Sequence, residues 1–431
     1  MINQRDYPLW HGTAPMATML RDMIDDGKFL EEGEGIRVRD RAGRWYLDGR
    51  SALWNVTLGY RNPVVTEAII KQLAELPMAT LLSYDRPAAV TVEYARTLAT
   101  HLPDALRHIR LGNSGSQMTE TAVLVSRFHR RVTGEPDRTD VICLQGSFHG
   151  TGPTASALSG LNPLGSTTDA QVHHVSPEGS WSHNVAKCTE QIGPERVTAV
   201  MIEPIMGTYG AVPDAADLGD LARYCRSQGI HLIGDEVSTG FGRTGALSHL
   251  VDLGIEPDML VLGKGITSGY VPAAALAVGD TIWDAVFDPP SGAGLPLGST
   301  TDGHPLAAAA GLAVLRVLYD DGLLATVAGK GKVLLQALTS IRDEFVPAGD
   351  VAGAGLMCRF ALRDGNGERW AQSDVGLLRR TCEAKGLLFS SGLGCVWFMP
   401  PLITSESECG EMANIVASAF TELRRAGTLP A

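Results

Sequence analysis

Between positions 231 and 265 the chain reads HLIGDEVSTGFGRTGALSHLVDLGIEPDMLVLGKG. Two apolar runs, 231–235 and 259–263, bracket a turn region rich in Gly and Thr. Each run ends on residues able to do chemistry: Asp235 with Glu236 after the first, Lys264 after the second. Strands buried on both faces read as nearly continuous apolar runs, without alternation. Working outward, comparable runs recur at 108–111, 141–144, 172–175, 199–203 and 273–278, and helix-like segments such as 119–131 and 218–228 lie between several of them. That alternation predicts an α/β fold, with a mostly parallel seven-stranded sheet covered by helices on both faces. Ligands of such sheets sit at the carboxyl ends of the strands. Asp235 and Lys264 fall there.

The 431 residues are 44% apolar and 19% charged, which suits a globular chain of two to three domains. The 48 acidic residues outnumber the 36 Lys and Arg, for a net charge of -12. The charges are scattered, which argues against nucleic acid or an anionic membrane as partner. The first residues, MINQRDYPLW, are polar and carry no apolar core of a secretory signal. The weakly polar runs 271–278 and 306–318 are too short and Ala-rich to span a bilayer. The seven cysteines are dispersed with no C-x-x-C pair, so neither a zinc site nor a disulfide framework is expected. A reduced, cytoplasmic compartment fits. Hairpin-like pieces near the start (GIRVRD, RAG, RWYLDG) and strands near the end (VAGAGLMCRFAL, GCVWFMPP) frame the long Ala-rich helix after Pro305. The expected division is a segment 1–58 belonging to a smaller α+β domain, a large domain 59–320, and the rest of the small domain at 321–431.

Several residues at the strand ends allow two readings. Asn113-Ser114-Gly115-Ser116 between a strand and a helix is either a phosphate cradle or an N-cap turn. Asp235 pairs with a protonated ring nitrogen or caps the next helix. Lys264 is a desolvated amine nucleophile or a snorkelling surface lysine. Phe148 stacks on a planar ligand or packs in the core. His149 and His304 read as structural histidines rather than as bases or metal ligands. No spacing resembles a metal site, the Asn113–Ser116 turn is neither a GxGxxG nor a P-loop fingerprint, and the sequence has no GxSxG elbow.

Taken together, NSGSQMTETAV, GSFHG, MIEPIMG, GDEVSTGFGRTG, PDMLVLGKGITSGYVP and TTDGHPLAAAAGLA resemble, in this order, the class III aminotransferases. These are pyridoxal 5'-phosphate (PLP) enzymes of fold type I. The early DGRSALWNVTLGYRNP looks like the ω-amine branch, and VWFMPPLI near the end looks like the diaminopelargonate branch. The resemblance implies an aminotransferase acting between a primary amine or amino acid and an aldehyde, ketone or keto acid. Lys264 would form the internal aldimine and shuttle the proton, and Asp235 would hold the ring nitrogen protonated. Val237 and Phe148 would sandwich the ring, with His149 and Glu203 close by. Gly115 and Ser116 would bind the phosphate, joined by Thr300 from the other subunit of a homodimer or larger assembly. Trp54 and Tyr84 would line the substrate entrance.

The chain departs from the family pattern at three places. Gln117 and Met118 stand where an acid and Ala are usual, Ala352 where an Arg is usual, and Ser390 where the named branches carry a substrate-carboxylate Arg. Arg86 is the candidate replacement for that cation. The rival readings are an aminomutase or epimerase of the same family and a non-catalytic PLP-fold binding subunit.

Overall fold

The structure is a computed structural model that describes residues 7–12, 26–82, 86–161, 171–289, 292, 294, 295 and 297–430. Its strands are, in chain order, β1 (Leu30–Glu34), β2 (Arg37–Asp40), β3 (Trp45–Asp48), β4 (His108–Gly112), β5 (Asp140–Leu144), β6 (Val172–Val175), β7 (Val197–Ile202), β8 (His231–Asp235), β9 (Met259–Leu262), β10 (Ala274–Val278), β11 (Asp350–Ala354), β12 (Met357–Ala361), β13 (Leu387–Leu388), β14 (Ser390–Gly392) and β15 (Cys395–Phe398).

Seven of these strands form the central sheet in the order β4-β10-β9-β8-β7-β5-β6. β10 runs antiparallel to both of its neighbours, and every other adjacent pair is parallel. Six strands therefore point the same way, and their carboxyl ends share one edge. β7, β8 and β9 are buried along their whole length, as their unbroken apolar reading requires. Each fully buried Val, Leu or Ile in them contributes about 1.5–3 kcal/mol relative to exposure. Helices Gly115–Val132, Trp181–Ile192 and Ala215–Ser227 connect and cover the strands. Each starts on a side-chain cap, from Ser114, Ser180 and Asp214 respectively, which satisfies N–H groups that the helix itself leaves free.

The two chain ends build two further sheets. One has the order β1-β2-β3-β13, so a strand from the C-terminal region completes the N-terminal ribbon. The other, β11-β12-β15-β14, is antiparallel throughout. Arg243, fully buried, ties these regions to the central one. Its guanidinium donates to the carbonyls of Leu356 (3.0 Å) and Pro400 (2.6 Å) and to Ser51 Oγ (3.3 Å). Burial, with no carboxylate in contact among the described residues, lowers its pKa to about 10. The chain-end sheets are thus held against the edge where the central strands terminate.

Candidate active site

Five strand ends deliver the groups expected to do chemistry. β4 leads into Asn113–Ser116, β5 into Phe148 and His149, β7 into Glu203, β8 ends on Asp235, and β9 runs through Gly263 into Lys264. Their loops enclose a cavity of about 330 Å³ lined by Gly115, Ser116, Phe148, His149, Asp235, Val237 and Lys264, together with Asn55, Asn113 and Ser238.

Lys264 adopts a left-handed backbone, φ +44°, which costs a non-glycine residue about 1–3 kcal/mol. The glycines beside it explain how the chain reaches that conformation. A Cβ at position 263 would stand 3.1 Å from Val237, and one at position 265 would stand 2.8 Å from Phe241 Cβ. The Nζ donates to Ser238 Oγ at 2.5 Å and lies 4.9 Å from the Trp54 ring centroid. Burial lowers its pKa; Asp235 and Glu203 pull the other way, and Arg243 adds to the lowering. A lowered pKa enlarges the neutral, nucleophilic fraction of the amine.

Asp235 Oδ2 is 2.7 Å from His149 Nδ1, and Oδ1 accepts the Val237 N–H at 3.1 Å. Burial is the largest influence on His149 and depresses its pKa, but the hydrogen bonds and charges of Asp235 and Cys143 outweigh it and raise the value to about 10. The imidazole is therefore protonated at neutral pH, and Nδ1–H donates to the carboxylate. Glu203 accepts the Phe148 N–H at 2.9 Å. Its own burial raises its pKa to about 7, reinforced by Asp235 and opposed by His149, the Phe148 N–H and Lys264.

The two acids of the DEV triplet do different things. Glu236 turns away from the cavity and accepts from Thr239 Oγ1 (2.7 Å), Ser248 Oγ (2.6 Å) and the N–H groups of His249 and Leu250 (2.8 Å each). The capping alternative considered for Asp235 is fulfilled by its neighbour, and Asp235 itself faces the cavity.

At the β4 end, Ser114 Oγ caps the helix by accepting from Gln117 N (3.2 Å), so the turn is an N-cap and still presents Gly115 and Ser116 to the cavity. Close approach is built in here. A Cβ at Gly115 would stand 3.0 Å from Val237, and one at Gly150, which has φ +122°, would collide with Ser116 Oγ. A phosphate and a flat ring fit these observations. The first-turn N–H groups and the helix dipole favour an anion, and Val237 and the half-exposed Phe148 both line the slot between. Asp235 supplies a carboxylate and Lys264 an amine at the same cavity.

The remaining candidates are spread more widely. Trp54 Nε1 donates to Ser390 Oγ at 3.0 Å, and Trp54 lies 6.5 Å from Trp397, the residue opposite Ser390 on β15. Ala352 faces Arg359 across β11 and β12, and the Arg359 guanidinium is engaged by Asp350 and the Gly210 carbonyl. Arg86 and Thr300 are exposed and do not line this chain's cavity. Tyr84 lies outside the described residues. His304 caps its helix by accepting from Leu306 N at 3.2 Å. Sequence reasoning missed Asn55, the contact of Ser238 with Lys264, and Asp302, whose carboxylate is buried beneath the Asn113 turn. An Asp inside the otherwise small and polar TTDGHP turn was the available signal for the last.

Residues 23–420 match the aminotransferase class-III family. The diaminobutyrate–2-oxoglutarate transaminase of Halomonas elongata is 30% identical to this chain, covering 96% of it and 94% of that protein. The omega-aminotransferase of Caulobacter vibrioides is 30% identical, covering 90% of this chain and 92% of its own length. Among solved structures, the PLP-bound amine transaminase from an uncultivated Pseudomonas species is similar with a TM-score of 0.91 at 27% identity, over 96% of this chain and 99% of that one. The (S)-enantioselective omega-transaminase from Thermomicrobium roseum has a TM-score of 0.89 at 28% identity, over 96% of each chain.

Proposed function

The chain belongs to the class-III aminotransferases and is a PLP-dependent transaminase; from that premise we propose which of its residues carry the reaction. When bound, the cofactor supplies a carbonyl that takes up amines and a ring that withdraws electrons from the carbon next to the nitrogen. Gly115 and Ser116 hold the phosphate, joined by Thr300 of a second copy in a homodimer. Val237 and Phe148 hold the ring between them. Asp235 sets its carboxylate against the ring nitrogen, and His149, protonated and donating from Nδ1, keeps that carboxylate oriented and ionised. Glu203 fixes the Phe148 backbone through its N–H.

Lys264 carries the proton. Its lowered pKa leaves a basic, uncharged Nζ available, and Ser238 Oγ holds that nitrogen at one place while the strained backbone aims it into the cavity. Proton transfer by a group so placed contributes roughly 10²–10⁴-fold to a rate. The observation that carries this reading is the convergence on one cavity of a partly buried lysine in a left-handed conformation, a histidine-bound aspartate and a helix N-terminus.

The substrate end is formed by Trp54 and Ser390, backed by the buried Trp397. These are neutral side chains, and they favour an amine or carbonyl substrate without a carboxylate at that end. Residues 1–58 and 321–431 form the small domain that covers the large one, 59–320. The enzyme works in the cytoplasm.

The test is a titration of the purified protein with PLP, followed by absorption, and then with a panel of amines. Wild type is expected to develop a visible band that particular donors bleach. Lys264→Ala should lose that band and at least about 10³-fold in amino-group transfer. A Lys264→Ala protein with unchanged spectrum and turnover would overturn the lysine assignment. Omitting the keto acceptor separates transfer from an aminomutase or epimerase reaction, which needs none.

A further inference from the structure

Beneath the turn that presents Gly115 and Ser116 lies a buried carboxylate that the transamination reading does not use. Asp302 is 1% exposed. Its Oδ1 accepts from Asn113 Nδ2 (2.8 Å) and from Gln117 Nε2 (2.9 Å), and its Oδ2 accepts from Arg110 (3.1 Å). Gln117 is bonded at both ends, since its Oε1 accepts the Asn113 backbone N–H at 2.8 Å while its amide nitrogen donates to Asp302. Asn113 is thus gripped twice, through its main chain by Gln117 and through its side chain by Asp302. Asn113 also lines the cavity beside Ser114, Gly115 and Ser116.

Only a residue that both donates and accepts can stand at 117 in this arrangement. A glutamate there could still take the Asn113 N–H, but it could not donate to Asp302. It would set a second carboxylate against the first in a buried place, with Arg110 the one cation in contact with Asp302 among the described residues. The acid usual at 117 in the resembled family would therefore lie unfavourably against the Asp302 carboxylate, whereas the Gln117 amide donates to it.

We propose that Gln117 and Asp302 are a positioning pair that fixes the Asn113–Ser116 turn for the phosphate of the cofactor. This rests on the assignment of Gly115 and Ser116 as the phosphate cradle. Neither residue touches the cofactor. Their effect passes through Asn113 to the direction of the first-turn N–H groups, and it matters only for a ligand that carries a phosphate.

Pyridoxal phosphate and pyridoxal, which differ by that group alone, separate positioning from general structure. Dissociation constants for both are measured on the apoenzyme by absorption or fluorescence, alongside the melting temperature without ligand. Gln117→Glu should weaken PLP binding by about tenfold or more, as expected of two buried like charges, and leave pyridoxal binding unchanged. Adding Asp302→Asn to Gln117→Glu removes one of the two charges and places a donor opposite the new acid, while Asn113 Nδ2 turns to the oxygen at 117 that it already approaches at 3.4 Å; the PLP constant should return to within about threefold of wild type. That recovery excludes simple repulsion between the introduced carboxylate and the phosphate, because the charge at 117 remains. The proposal is overturned if Gln117→Glu leaves the PLP constant unmoved, if the double variant stays as weak as the single one, or if both ligands weaken equally as the melting temperature falls. A wild-type protein that binds pyridoxal as tightly as PLP would instead remove the phosphate cradle itself, and the pair's role with it.

Discussion

The cavity and the Trp54–Ser390 contact beside it are built on different physics. At the cofactor end, Asp235, His149 and Glu203 are buried and Lys264 is partly buried; all are titratable, and each shifted pKa has an identified neighbour as part of its cause. Backbone conformation is specified there as well, by a left-handed lysine between two glycines that have no room for a side chain. At the end proposed for the substrate, Trp54, Trp397 and Ser390 meet through one neutral hydrogen bond and ring packing. Charge fixes one end for a single kind of chemistry. Shape and weak polarity leave the other end free to vary what it accepts, so substitutions at the two ends should differ in kind as well as in size.

The sharpest break in that contrast is Asp235→Asn. It removes the charge that His149 faces and the carboxylate offered to the cofactor ring. Turnover should fall by roughly 10²-fold or more, as for other preorganised electrostatic groups, and single-turnover amino transfer measures it. Stability should change with a definite sign. His149 has a folded pKa of about 10 against a reference of 6.5, so its proton stabilises the fold fully below pH 6.5 and that contribution is lost as pH rises through 10. With Asp235 neutralised its share of the cause is gone and that of Cys143 remains, so the decline in apoenzyme melting temperature between pH 6.5 and 10 should become shallower. An unaltered alkaline decline would mean that His149 is not held protonated by Asp235.

Legibility in the sequence follows the same division. The central strands announce themselves because burial on both faces leaves little room for polar residues, as in MLVL of β9 and the AVMI end of β7. Asp235 and Lys264 stand out because an acid and a base directly after such runs would be costly without partners. Glycines 263 and 265 marked close backbone approach, and the structure shows what approaches. The substrate end was far less legible. Trp54 and Ser390 are separated by 336 positions and meet where the two chain-end regions pack together, through β13 in the N-terminal sheet and the Met399 contacts with Gly49 and Ser51. No local pattern encodes that pairing. Asp302 was hidden for a related reason: its partners Asn113 and Gln117 lie 189 and 185 positions earlier. The Gln at 117 looked like an isolated departure until its partner was seen.

A smaller effect is expected from Ser390→Arg, which puts charge into the neutral end. The change ends the hydrogen bond with Trp54 and offers a guanidinium to the substrate. A charge-assisted contact to a carboxylate is worth about 1.5–3 kcal/mol, so kcat/KM for carboxylate-bearing donors should rise about tenfold or more relative to uncharged amines. Steady-state kinetics on matched donor pairs, such as an amine and the amino acid that differs from it by a carboxylate, give the ratio directly. No rise in the ratio would show that this position is remote from the substrate.

The smallest effect tests whether the charged end carries a stability cost that the neutral end does not. Glu203 has a folded pKa of about 7 against a reference of 4.5, with burial as the leading cause. The folded protein therefore holds this proton between pH 4.5 and 7 while the unfolded chain releases it. By linkage the group's contribution to stability falls as pH rises across that interval and stays low above it. Glu203→Gln keeps an acceptor for the Phe148 N–H and has nothing to release. Its melting temperature should match wild type at pH 4.5 and exceed it by about 1–3 °C above pH 7, a gain kept small by the size of the chain. Ser390→Ala, at the neutral end, should show a difference from wild type that does not vary with pH. A Glu203→Gln difference that is equally flat would place that carboxylate in a better-solvated or better-paired setting, and the energetic contrast between the two ends would then rest on Lys264, Asp235 and His149 alone.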